Sequence, residues 1–114
     1  MATSPLKPIV FNQGLTTEWS TLYTAPSDKQ GIGIDAVVFN NYTENSQTFS
    51  IRLVQTGTPN ELNEIISDSN LRAKSNSLAP AMIGQALLKG GTIQAKASAN
   101  NSINVNITAT IVEL

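Results

Sequence analysis

Residues 90–114 read GGTIQAKASANNSINVNITATIVEL, and their alternation decides the fold class. Ile93, Ala95 and Ala97 alternate with Gln94, Lys96 and Ser98. Ile103, Val105, Ile107, Ala109 and Ile111 then alternate with Asn104, Asn106, Thr108 and Thr110. Side chains two apart share one face of a strand, so each segment reads as a half-buried β-strand. If the two pair as a hairpin, an Asn100-Asn101 turn sets Ala95 opposite Asn106 and mixes the faces. An Ala99–Asn101 loop instead sets Ala97 by Ile103 and Ile93 by Ile107, with Asn101 in the left-handed bulge position. In separate sheets this register argument lapses.

The same pattern extends towards the N-terminus. Trp19–Ala25 is an expected strand closed by the turn Pro26-Ser27-Asp28. Gly31–Asn40 is the most apolar strand, with Ile32, Ile34, Ala36 and Val38 expected on one face and Val37 and Phe39 on the other. Apolar residues on both faces mark a central or covered strand. After the loop Asn40–Gln47, Phe49, Ile51 and Leu53 should point inward and Ser50 and Arg52 outward. The spacing predicts one short helix from Thr58: Thr58 as N-cap, Pro59 at the first position, Glu61 as capping carboxylate, and Leu62, Ile65 and Ile66 as a buried stripe. Residues 70–80 read as a weak or edge strand, and Gly90-Gly91 as a tight turn. About seven or eight short strands with minimal helix predict an all-β antiparallel sandwich, jelly-roll-like, with at most one or two short helices.

The domain organisation follows from this. Residues 1–14 carry Pro5 and Pro8 and read as an extended N-terminal arm, and 15–114 as a single sandwich domain. Ile9, Val10 and Phe11 on the arm need a cover, either the core or a neighbouring subunit, and are the candidate assembly contacts.

Composition narrows the chemistry. With 114 residues the chain suits one domain, and its 13% charged content is about half the usual ~25%. Ser, Thr and Asn make up roughly a third, which suits turns and half-solvated sheets. A net charge of −1 with dispersed cations predicts no nucleic-acid and no membrane partner. There is no His and no Cys, so Ser-His-Asp and Cys-His nucleophiles, disulfides and ordinary zinc sites are excluded. Glu61 and Glu64 read as capping and solvated carboxylates rather than a catalytic pair. Asp35, inside the most apolar strand, is expected to pair with Arg52 or Lys96 or to act as an inward charge against edge aggregation. Trp19 and Tyr42 are the aromatics on which a sugar ligand would stack, core or interface packing being their commoner use. The polar row Lys96, Asn104 and Asn106 is a further candidate ligand face. No cofactor is expected. The N-terminus lacks a signal-peptide layout, and no apolar run reaches membrane-spanning length.

Four stretches carry a resemblance: TTEWSTLYTAPSDKQGIGIDAVVFNN (16–41), TFSIRLV (48–54), SNSLAP (75–80) and LLKGGTIQAKASANNSINVNITATIVEL (87–114). Their arrangement resembles the small virion proteins of tailed bacteriophages, which act as capsid decoration (cement) proteins or tail-associated subunits. The resemblance implies a β-sandwich that assembles, often as a homotrimer, on the major capsid protein or on a tail protein. It implies virion localisation and a non-enzymatic role. The expectation is therefore a capsid decoration protein. A tail, neck or fibre-associated subunit is the first alternative and a carbohydrate-binding module the second.

Overall fold

The computed structural model describes residues 7–113, so the first six residues of the expected arm lie outside the described residues. Among the described residues, nine antiparallel strands form two sheets. The first sheet contains β1 (Lys7–Gly14), β9 (Ile103–Glu113) and β3 (Lys29–Asn41) in that order. Beyond β3 lie two short strands, β6 (Ser75–Ser77) against Phe39–Asn41 and β7 (Ala86–Leu88) against Gly31–Gly33. The second sheet has the order β2 (Ser20–Thr24), β8 (Thr92–Ala97), β4 (Gln47–Val54), β5 (Glu64–Leu71).

The first strand pairs with the last, the second with the last but one, and only β4 and β5 are both consecutive and paired. Apart from the step from β6 to β7, every other connection crosses between sheets. That is jelly-roll topology, a double sheet whose inner faces share one core.

The core lies where sequence alternation placed it. Ile93, Ala95 and Ala97 of β8 and Ile103, Val105, Ile107, Ala109 and Ile111 of β9 are all buried. Phe39 and Phe49 stack across the two sheets with centroids 4.1 Å apart. The strands β8 and β9 do not form a hairpin, however. They belong to opposite sheets, and Asn101 takes φ 56° in the crossing between them.

A β-bulge corrects the expected faces of β3. Ile34 lies opposite Ala109 and Ala36 opposite Thr108, so Asp35 is an extra residue. One added residue reverses which face later side chains take. Ile32 and Ile34 before it, and Val37 and Phe39 after it, are therefore all buried, while Ala36 and Val38 face outward. Asp35 is exposed and its Oδ2 accepts a hydrogen bond from Thr110 Oγ1 at 2.8 Å; its partner is neither Arg52 nor Lys96.

The expected helix at Thr58 is also corrected. Asn60 is the N-cap of a single 3-10 turn, Glu61–Asn63, with Asn63 as the reciprocal capping residue. Leu62 is 91% exposed rather than part of a stripe, and Ile65 and Ile66 lie on β5. Two β-branched residues in succession favour a strand where partners exist on β4. A second 3-10 turn spans Pro80–Met82, with Met82 buried.

The segment from Lys7 to Gly14 is extended and forms the edge strand of the first sheet, paired along β9. Register shifts flank Val10, and Asn12 has φ 50°. Such bulges, together with Pro8, make an edge a poor template for further strands. At the opposite side, Gly31 is required because an added Cβ would lie 2.5 Å from the Leu87 carbonyl oxygen.

Candidate functional site

The residues expected to make contacts are separated by the fold. On β1, Val10 is 5% exposed and packs in the sandwich's own core, and Ile9 is half-buried against it. Phe11 is 74% exposed. Of the three, Phe11 is the one left open to a partner.

Beside β1 the outer face of the first sheet is almost uncharged. Asn104, Asn106, Thr108 and Thr110 project from β9, and Ala36, Val38 and Asn40 pair across from them on β3. The Asn106 carboxamide accepts a hydrogen bond from Asn12 N at 2.9 Å, tying β1 to this face. Depletion of charge is the compositional mark of the centre of a protein interface.

The outer face of the second sheet is different. Trp19, immediately before β2, is half-buried, with the Arg52 guanidinium 4.0 Å and the Lys96 ammonium 5.0 Å from its ring centroid. Arg52 Nε donates to Gln94 Oε1 at 2.7 Å, and Gln94 Nε2 reaches Thr92 Oγ1 at 3.3 Å, so the guanidinium is held in place. The indole therefore already seats two cations. Lys96 lies on this sheet while Asn104 and Asn106 lie on the other, so the three do not form one ligand face.

Lys96 lines a cavity of about 220 Å³ together with Thr17, Thr48, Ser50, Asp68 and Ser98, and the buried Phe49 and Ala97 also border it. Sequence reading missed this cluster, because Asp68 is 28 residues from Lys96 in the chain and meets it only through β5, β4 and β8. Positive φ at Asp68 (45°) accompanies a register shift in β5.

Tyr42 follows β3 in the other sheet. Its hydroxyl donates to the Asn101 carbonyl, and its own carbonyl accepts from Lys74 Nζ at 2.8 Å. Trp19 and Tyr42 are thus not brought together as a stacking platform. Behind Tyr42, the carboxamide of the fully buried Asn41 donates to the carbonyls of Asn45, Leu71 and Arg72 at 2.8–3.1 Å.

Among the described residues no group of three or more acidic side chains is arranged to hold a metal ion. No helix among them is long and apolar enough to cross a membrane. The class of protein defined by this geometry is an antiparallel jelly-roll sandwich with one charge-poor and one charged outer face. No family model matches the chain, and no curated protein or solved structure matches it either.

Proposed function

We propose that this protein is a non-enzymatic structural subunit of a phage virion, a decoration protein that binds and stabilises the assembled shell. The observation that carries the reading is Phe11, a large apolar side chain 74% exposed on an edge strand beside a sheet face poor in charge. Exposed aromatics next to neutral surface are the usual anchors of protein interfaces. The jelly roll supports the reading by analogy, since capsid domains use it, although lectin domains do so too. A subunit that binds only the assembled shell stabilises it by linkage and needs no catalytic group. Pairing with the major capsid protein and self-association as a trimer belong to the same proposal, on the strength of the resemblance.

Quantitative mass spectrometry of purified virions tests it. A copy number comparable to the major capsid protein is expected. A handful of copies per particle would move the protein to the tail or neck, and absence would overturn the virion reading. Phe11→Ser should leave the monomer folded and weaken shell binding. Truncating residues 1–14 is a poorer test, because it removes β1 and the core residue Val10.

A further inference from the structure

The cavity on the outer face of the second sheet has the chemistry of a small binding site, and we propose that it takes a neutral, hydroxyl-rich ligand, one unit of a saccharide. The inference does not depend on the shell-binding role. It rests on how Asp68 and Lys96 share the cavity. They carry opposite charges and line the same space, yet form no ion pair within 4.0 Å. Each is held by something else. Lys96 Nζ lies over the Trp19 ring, and Asp68 is bound to Ser50: its backbone N–H donates to Ser50 Oγ at 2.8 Å, and its Oδ1 accepts from the same hydroxyl at 3.4 Å.

Ser50 is 1% exposed, so its hydroxyl gives Asp68 a rigid seat. Asp68 also holds a left-handed backbone conformation, φ 45°, in mid-strand. Strain of this kind survives where surrounding structure enforces it, and it recurs at ligand sites.

The result is an acceptor and a donor lining one cavity without pairing, with Thr17 and Thr48 beside them, while the Ser50 and Ser98 hydroxyls are already bonded to Asp68 and Gln47. An anion here meets the Asp68 carboxylate, and a cation meets Lys96 with Arg52 behind it. A polyol satisfies both, donating to the carboxylate and accepting from the ammonium. The size agrees: about 220 Å³ is below the ~300–1,000 Å³ of sites for drug-sized ligands, room for a single ring unit. This arrangement differs from the expected aromatic platform, because Trp19 positions a cation instead of stacking on the ligand.

Titration of the full chain with neutral tetrasaccharides of glucose, mannose and galactose, followed by ligand-detected NMR, tests the proposal. Trp19 is the chain's one tryptophan, so its emission reports whether binding occurs beside Lys96. Saturable millimolar binding of at least one probe is expected, with a change in emission. Asp68→Asn keeps a side chain that tolerates positive φ, and Lys96→Gln removes the charge on a side chain one atom shorter. Each should weaken binding about tenfold or more, the loss of one charge-assisted hydrogen bond, while Leu88→Ser, on the other sheet, leaves it unchanged. No saturable binding by any probe would overturn the proposal. So would affinity untouched by both cavity substitutions, or preference for a uronate probe that Asp68→Asn strengthens.

Discussion

Gln55 caps the backbone of Leu88. Its Oε1 accepts the Leu88 N–H at 2.8 Å while its Nε2 donates to the Ala86 carbonyl at 2.7 Å. One carboxamide thus imitates a strand along β7 and links the end of β4 to the other sheet. Gln55→Ala should cost about 1 kcal/mol of stability, since the two bonds are solvent-exposed. It should also increase light scattering at high protein concentration, because the freed edge adjoins Leu88, 56% exposed. Urea denaturation and static light scattering check both.

Asn41 should be intolerant of Asp. Its Nδ2 serves three carbonyls, and its Oδ1 accepts from Thr43 N at 2.9 Å. A carboxylate there would face carbonyl oxygens while fully buried. Asn41→Asp should lower stability by about 3 kcal/mol or more. The urea midpoint should fall with little change in slope.

The Phe39–Phe49 stack joins the two sheets near the centre of the sandwich. Phe39→Ala should cost about 3–5 kcal/mol, a large part of the ~5–15 kcal/mol typical of a domain. Phe39→Leu should recover most of that. A small loss in the Ala variant would mean that the sheets close over the void.

Stability should fall on the alkaline side. A hydrogen bond to Glu113, 2.7 Å from Lys29 Nζ, raises the lysine above its ordinary 10.5, aided by the carboxylate's charge. Burial raises Tyr23 above 10.0. Groups raised by folding hold their protons more tightly in the native state. Their contribution is complete below the unfolded values and is lost as pH rises through the folded ones. The thermal midpoint should therefore decline above about pH 10, and Tyr23→Phe should flatten part of the decline.

Much of the fold was legible because burial repeats locally. The alternation in β8 and β9 and the inward Phe49, Ile51 and Leu53 needed only neighbours two residues apart. The Thr58 helix failed for a related reason: a capping pattern was present, but just beyond it Ile65 and Ile66 found more burial beside β4 than a two-turn helix offers. Of the candidate sites, Phe11 was recognisable as an apolar residue on a proline-bearing segment. The cavity was not, since its Asp, Lys and hydroxyls come from separate strands.

The sequence by itself determined the class of fold and the chemistry open to the chain. Strand periodicity is written into each segment, and the lack of His and Cys removes whole families of reaction. Tertiary structure alone decided that β8 and β9 enter opposite sheets, that Asp35 shifts the phase of β3, and that Asp68 and Lys96 line one cavity. Those outcomes depend on which distant strands pair and in what register. That choice is settled by burial summed over the whole sandwich, and a single inserted residue in a strand leaves no mark in composition to announce it.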